Sequence, residues 1–104
     1  MKKLIFVCSP FQNQHSNLER AKQCCRAVIQ SGHVPIAPHL FFPQFLNDAI
    51  ESERALGLAC SIQLLSKCNE LWIFGEIITD GMREEIKYAM ENGIPLHPRA
   101  MPLP

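Results

Sequence analysis

The stretch SGHVPIAPH, residues 31–39, places a proline near the start of a short apolar segment that follows a helix-stopping glycine. The stretch NGIPLHP, residues 92–98, repeats this arrangement. Proline cannot donate a hydrogen bond to a neighbouring strand, so strands that contain it lie at a sheet edge or begin there. Segments 34–38 and 94–97 are therefore predicted to be the two edge strands of one sheet.

Two other apolar runs, at residues 4–8 and 71–74, contain no proline. Both are continuous rather than alternating, which is typical of strands buried on both faces of a parallel sheet. They take the central positions, which gives the strand order 2-1-3-4. With helices between the strands and right-handed crossovers, this order predicts an α/β fold, a flavodoxin-like or Rossmann-like three-layer sandwich with a four-stranded parallel sheet.

Three helices are expected between these strands. The first begins at a capping box of Ser16 and Glu19 and stops at Gly32, the second spans about 52–67, and the third begins near Asp80 and ends at Asn92-Gly93. The inward side chains are expected to be Leu18, Ala21, Cys25, Val28 and Ile29 in the first helix and Ala55, Leu58, Ala59, Ile62 and Leu65 in the second.

The strand order also predicts where a ligand would bind. In open α/β sheets, ligands bind beyond the carboxyl ends of the strands at the point where the strand order reverses. Here that point lies between the first and third strands, so the loops CSPFQNQHS (8–16) and FGEIITDG (74–81) should form the site. The segment PHLFFPQF (38–45) lies beside them.

Length and charge limit the classes of protein. The 104 residues fit one domain, 1–104, with a proline-rich tail at 98–104, and ten basic residues balance ten acidic ones. This balance argues against a surface for DNA or RNA but permits the binding of one nucleotide. The apolar run at 4–8 is too short for a membrane span. Without a glycine-rich phosphate fingerprint, dinucleotide-binding and NTPase functions rank low.

The cysteines stand at positions 8, 24, 25, 60 and 68. Their number is odd and no Cys-x-x-Cys pair occurs, so a disulfide framework is not expected. We interpret them as reduced, mostly buried thiols of a cytoplasmic protein. Because the cysteines and histidines lack ligand spacing, no metal site is predicted.

Two adjacent glutamates stand at the start of the third helix. If its inward stripe is Met82, Ile86 and Ala89, then at about 100° per residue Glu84 points away from the core. Glu85 lies on the flank of the stripe and leans towards the carboxyl end of the sheet. Glu85 either complements the helix dipole or serves a site, and in both cases the helix N-terminus should lower its pKa.

The segments FVCSPF, GHVPIAPHL, FPQFLND, CNELWIFGE and DGMREEIKYAMENGIP resemble the small DUF4406/DUF7768-type proteins, relatives of nucleoside 2-deoxyribosyltransferases. The resemblance implies that a glutamate early in the last helix attacks the anomeric carbon and forms a covalent deoxyribosyl-enzyme. Gly81-x-x-x-Glu85 matches that motif. Thr79 stands where the motif has an aspartate, and near Ser61-Ile62 a second family acid is absent.

The chemistry requires a carboxylate to stabilise an oxocarbenium-like transition state and a proton for the departing base. The resemblance assigns the first role to Glu85, and Asp80, Asp48 and His39 are candidates for the second. No metal or organic cofactor is implied. The expected substrate-binding residues are Ser9, Pro10, Phe11, His39, Gly75, Asp80, Gly81 and Met82.

Several side chains have a structural interpretation beside the functional one. Phe11 can stack on a base or fill the core, and His39 can be catalytic or structural. Arg20 and Arg54 can bind a phosphate or form surface ion pairs. The aromatic residues Phe41, Phe42 and Phe45 are more typical of the core or of a subunit interface than of a ligand contact. Trp72 is most simply a core residue.

The sequence therefore predicts an enzyme acting on the N-glycosidic bond of a nucleoside or nucleotide, as a deoxyribosyltransferase or a hydrolase. A non-catalytic nucleotide-binding or sensing module and a structural oligomerising protein are the alternatives. The expected partners are a nucleoside or nucleoside monophosphate and further copies of the chain in a homo-oligomer, because the related transferases complete their pockets across subunits. Nucleic acid and membrane are not expected partners.

Overall fold

The structure is a computed structural model that describes residues 2–10 and 15–102, apart from the side chains of residues 15 and 16. The elements in chain order are β1 (Leu4–Cys8), α1 (His15–Gln30), β2 (Val34–Ile36), two short 3-10 helices (Pro38–Leu40 and Phe42–Gln44), α2 (Glu51–Leu65), β3 (Glu70–Phe74), α3 (Asp80–Glu91) and β4 (Leu96–Arg99).

The four strands form one parallel sheet in the order β2-β1-β3-β4, which confirms the predicted α/β topology. Pro35 lies in edge strand β2 and Pro98 in edge strand β4. A missing N–H is tolerated there because one side of each edge strand has no neighbour to receive it. The position of the prolines thus did fix which strands lie in the centre.

Both edge strands differ from their expected bounds. Strand β2 ends at Ile36 because Pro38 opens a 3-10 helix, so His39 lies in that helix and not at the end of a strand. The fixed φ of proline suits the first position of a helical turn. Strand β4 spans Leu96–Arg99 and therefore includes the first two residues of the expected tail.

The core has two layers because β1 alternates its side chains between the faces of the sheet. On one face Phe6 and Cys8 pack with Leu65 of α2 and with Met82 of α3. On the other face the buried cluster is Ile5, Val7, Cys24, Val28, Trp72 and Phe74, which includes the inward side of α1. A sheet covered on both faces explains the continuous apolar runs of the central strands.

Helix α1 is rotated slightly from the expected orientation. Cys24 is buried, whereas Cys25 is half-buried and Ile29 is exposed, so the prediction of Cys25 and Ile29 as core residues was wrong. Cys24 lies three residues after buried Ala21 and four before buried Val28, which is one helical stripe. The helix stops before Gly32, whose φ of +89° suits a C-terminal stop. The predicted cap by the Ser16 side chain lies outside the described residues.

Helix α2 covers the sheet less completely than predicted. Ser61 and Leu65 are buried, but Ala55 and Ala59, both expected inside, are exposed. The helix packs beside α3, so one flank of α2 stays uncovered. Within the described residues, no helix is both long and apolar enough to span a lipid bilayer.

Helix α3 begins one residue earlier in its capping than expected. The Thr79 hydroxyl accepts a hydrogen bond from the backbone N–H of Met82 at 3.2 Å, so Thr79 is the cap and not Asp80. Asp80 lies in the first turn and pairs with Arg83 at 3.6 Å on the surface. The helix ends at Glu91, and Gly93 follows with a φ of +70°.

Glu70 links three strands on the α1 face of the sheet. Its carboxylate accepts hydrogen bonds from Lys3 Nζ at 2.6 Å and from Trp72 Nε1 at 2.9 Å, and it lies 3.4 Å from His97 Nε2. The Arg99 guanidinium stacks 4.0 Å from the centroid of the Trp72 ring. These contacts hold the ends of β1, β3 and β4 together and keep Trp72 in the core, as predicted.

Candidate functional site

A cavity of about 730 Å³ opens at the carboxyl end of the sheet. Its walls come from the two 3-10 helices after β2, from α2, and from the first turns of α3. This size is typical of small-molecule sites, which occupy roughly 300–1,000 Å³. The cavity therefore lies where the strand order predicts a ligand.

Glu85 is the buried carboxylate of this cavity. The first turns of α3 carry it inward with Met82, and its exposed fraction is only 2%. Glu84, one residue earlier, is exposed. Since residues on a helix are separated by about 100°, neighbouring glutamates reach different environments. The structure thus separates the two glutamates as the sequence predicts.

The Glu85 carboxylate has a thiol as its neighbour. Cys8 Sγ, at the last residue of β1, donates to Glu85 Oε1 at 3.5 Å. It is the one hydrogen-bond donor that the described residues offer to this carboxylate. Burial and the Glu85 charge raise the pKa of the Cys8 thiol far above its usual range, so the thiol stays protonated and remains a donor.

Burial raises the pKa of Glu85 from 4.5 to about 7, and the Cys8 hydrogen bond opposes this shift. The expectation that the helix N-terminus would lower this pKa was wrong in direction. Removing a carboxylate from water disfavours its charged form, and a single weak donor compensates only in part. Glu85 is therefore close to half-ionised at neutral pH, a property that clusters at functional sites.

His39 lines the same cavity from the first 3-10 helix. Its Nε2 donates to the carbonyl oxygen of Ser9 at 3.1 Å. Burial lowers the pKa of His39, while the Ser9 carbonyl and the charge of Asp48 oppose that shift. The ring is therefore neutral at pH 7. Asp48, which also lines the cavity, is half-buried.

The cavity is surrounded by more negative than positive side chains. Its only guanidinium groups are those of Arg54 and Arg83, as far as the described residues show, and Arg83 already pairs with Asp80. The carboxyl groups of the lining are those of Asp48, Glu51, Glu53, Asp80, Glu84 and Glu85. Such a field favours ligands that carry no negative charge.

Of the predicted site residues, the structure brings one group together and leaves another apart. The cavity is lined by Glu85, His39, Asp80, Gly81 and Met82. It is not lined by Ser9, Pro10 or Gly75, and Phe11 lies outside the described residues.

The three residues that miss the cavity do so for identifiable reasons. Ser9 is buried behind it and reaches it only through the carbonyl group that holds His39; its Oγ has no hydrogen-bond partner among the described residues. Pro10, the next residue, is half-buried. Gly75 faces Met101, whose side chain would lie 3.2 Å from an added Cβ, and Met101 packs on the α1 side of the sheet.

Sequence reasoning missed two residues of the site. Ser61 is buried, with 6% exposure, and lines the cavity from α2. Its spacing from Leu58 and Leu65, three and four residues, puts it on one helical stripe and could have revealed it. Cys8 was treated as a strand residue, although its parity with Phe6 places it on the α3 side of the sheet.

Comparisons with known proteins give one family and one fold. A family model described as "Domain of unknown function (DUF7768)" matches residues 3–99. The chain belongs to the DUF7768 family. This match confirms the DUF7768 part of the expected resemblance. No curated protein matches the sequence.

One solved structure similar to this DUF7768 chain is a 2-deoxyribosyltransferase from the psychrotolerant bacterium Bacillus psychrosaccharolyticus. The TM-score is 0.73 with 16% sequence identity, over 93% of this chain and 72% of that one. That enzyme is described as a biocatalyst for the synthesis of antiviral and antitumoral nucleosides. At this identity the likeness shows a shared fold.

Proposed function

We propose that this protein breaks the N-glycosidic bond of a nucleoside or nucleotide, as a 2-deoxyribosyltransferase or an N-glycoside hydrolase, with Glu85 as the nucleophile. The observation that carries the proposal is the position of Glu85. It is a nearly fully buried carboxylate that lines a cavity of about 730 Å³ at the carboxyl end of the sheet. The fold shared with a 2-deoxyribosyltransferase supports this choice among reactions that use a buried carboxylate.

The proposed reaction has two halves. In the first, a carboxylate oxygen of Glu85 attacks C1′ of the sugar, the C1′–N bond breaks, and its electron pair leaves with the base, which takes up a proton. In the second, water or a nitrogen of another base attacks C1′ and displaces Glu85. The attacking group loses its proton and the carboxylate is restored. Water gives hydrolysis, and a second base gives transfer.

The proton for the departing base has two remaining candidates. Asp80 is fully exposed and paired with Arg83, so it is poorly placed to protonate a group inside the cavity. Asp48 and His39 both line the cavity and are shielded from solvent. The Nε2 proton of His39 is held by the Ser9 carbonyl, which leaves Asp48 as the better candidate.

The charges around the cavity favour one ligand class. A nucleoside 5′-phosphate would bring negative charge to a wall that already carries six carboxyl groups and two guanidinium groups. An uncharged nucleoside avoids that repulsion. We therefore place a nucleoside before a nucleoside monophosphate as the substrate.

A second candidate function is binding without turnover. Ser61 and Thr79 stand where the related transferases have acids, by the resemblance of the sequence, and both line the cavity. A site that kept its shape and lost these acids would still bind a nucleoside or nucleotide. The protein would then be a sensor or carrier.

We also propose that the chain forms a homo-oligomer. Apolar side chains are exposed in the segment before α2 and on α2 itself: Phe41, Phe45, Ile50 and Leu56. Association would remove them from water.

The deciding experiment is a panel of ribonucleosides, deoxyribonucleosides and their 5′-monophosphates, incubated with the protein. Chromatography measures free base release and, with a second base added, exchange. Base release or exchange supports the enzyme, and a thermal shift without either selects the binding module. Neither turnover nor a shift with any member of the panel refutes both candidates.

A further inference from the structure

We propose that Cys8 is a positioning residue for Glu85, whose thiol holds the carboxylate in place and sets the pH at which it ionises. This inference deepens the proposed function, since it concerns the group assigned there as the nucleophile. It rests first on the 3.5 Å contact between Cys8 Sγ and Glu85 Oε1.

The positions of both residues are fixed by the fold. Cys8 is fully buried at the end of central strand β1, where it lies opposite Ile73 of β3 in the sheet. Glu85 follows Met82 by one turn of α3, and Met82 packs in the same core cluster as Cys8. The thiol and the carboxylate are therefore held against each other by two rigid elements.

The contact matters because the carboxylate has so little other support. A buried carboxylate without donors keeps its proton, and each donor that reaches it favours the charged form. Cys8 supplies that donor among the described residues. A thiol is a weak donor, so it stabilises the charged form without holding the group fully ionised.

The thiol is also suited to remain a donor. Burial and the neighbouring carboxylate keep Cys8 protonated at any physiological pH. The direction of the hydrogen bond is therefore constant while Glu85 titrates. Cys8 does not itself react with substrate, because it does not line the cavity; it acts through Glu85.

Two substitutions at position 8 should move the ionisation of Glu85 in opposite directions. Cys8→Ala removes the donor and should raise the half-titration pH of Glu85 by about one unit. Cys8→Ser supplies a hydroxyl, a stronger donor than a thiol, and should lower it by a similar amount, about one unit.

The matched control is Cys68, another buried cysteine of the same core cluster. Its thiol donates to the Leu64 carbonyl at 3.4 Å and does not contact Glu85. Cys68→Ala removes the same atom from the same core. It should leave the titration of Glu85 unchanged.

The measurement is carbon-13 NMR of the full chain with labelled glutamate carboxyl groups. The Glu85 signal is identified by its loss in Glu85→Gln, and its half-titration pH is compared in the wild type, Cys8→Ala, Cys8→Ser and Cys68→Ala. If Cys8→Ala does not fold, the comparison of Cys8→Ser with the wild type decides. Equal titration in all folded proteins, or an equal shift in Cys68→Ala, overturns the proposal.

This test separates the inference from the proposed function, because it needs no substrate. A shift in titration without turnover of any nucleoside keeps the positioning role and removes the nucleophile role. If a nucleoside is turned over, the pH dependence of base release should shift with the titration in each Cys8 variant. Turnover with an unshifted pH profile would refute the positioning role and leave the proposed function standing.

Discussion

Glu84 and Glu85 are adjacent in the sequence but occupy opposite environments. Glu85 is 2% exposed and contacts Cys8, while Glu84 is exposed at the edge of the cavity. The cause is the start of α3 at Asp80 with Thr79 as its cap, which fixes the rotation of the helix. The pair therefore offers one test residue and its own control.

The first prediction concerns catalysis. Glu85→Gln keeps the size of the side chain and removes the nucleophile, so base release should fall by about a thousandfold or more. Glu84→Gln removes one surface charge and should change the rate by less than about twofold. The rates are measured on a nucleoside that the wild type turns over. Wild-type activity in Glu85→Gln would end the assignment of Glu85 as nucleophile.

The second prediction concerns the dependence of stability on pH. Folding raises the pKa of Glu85 from 4.5 to about 7, so the folded state binds this proton more tightly than the unfolded state. The resulting stabilisation is complete below pH 4.5 and is lost as pH rises to about 7. Glu85→Gln cannot ionise, and at pH 8 it should be more stable than the wild type by up to about 3 kcal/mol.

The measurement is denaturant unfolding of both proteins between pH 4 and pH 8. The difference between them isolates Glu85, because other titrating groups such as His39 are present in both. The advantage of Glu85→Gln should grow with pH and level off near neutrality. A difference that does not change with pH would show that folding leaves the ionisation of Glu85 unperturbed.

Much of the fold was predictable because proline acts locally. Pro35 and the proline-rich end near β4 mark edge strands through a missing N–H, and that fact needs no knowledge of the tertiary structure. The strand bounds were less predictable. The 3-10 turn at Pro38 and the two-residue displacement of β4 depend on loop conformation, which apolar patterning does not report.

The site was predictable in position and less so in its electrostatics. Helical periodicity separated Glu85 from Glu84, but the direction of the pKa shift depends on how completely α2 and β1 remove water from the carboxylate. The contact with Cys8 spans 77 residues of sequence, so no local pattern contains it. Ser9, Pro10 and Gly75 miss the cavity because loop residues near a strand end can face either side of the sheet.

The third prediction concerns association. Phe41 contacts Phe42 and Phe45 edge to face, with ring centroids 5.2 and 5.0 Å apart, yet Phe45 is 64% exposed. If this aromatic cluster meets another copy of the chain, Phe45→Glu should convert the oligomer to monomer in light scattering at micromolar concentration. Ile29→Glu is the control, because Ile29 is exposed at the far end of α1. A monomeric wild type would contradict the proposed oligomer.

The fourth prediction concerns the carboxylate of Glu70. Its side chain is 12% exposed and accepts hydrogen bonds from Lys3 and Trp72, which lower its pKa. Glu70→Gln removes the charge and leaves Lys3 and the indole N–H with a weaker acceptor. The free energy of unfolding at pH 7 should fall by about 1–2 kcal/mol.

The control for Glu70 is an ion pair of the same kind on the surface. Glu19 and Lys22 pair at 3.2 Å with side chains 49% and 60% exposed, so Glu19→Gln should cost less than about 0.5 kcal/mol. Because folding lowers the pKa of Glu70, its contribution is present above its unfolded pKa, about 4.3, and is lost as pH falls through the lower folded value. The difference between wild type and Glu70→Gln, measured by denaturant unfolding, should therefore shrink below pH 4. A cost equal to that of Glu19→Gln at pH 7 would mean that the three strands are held together by packing and backbone hydrogen bonds alone.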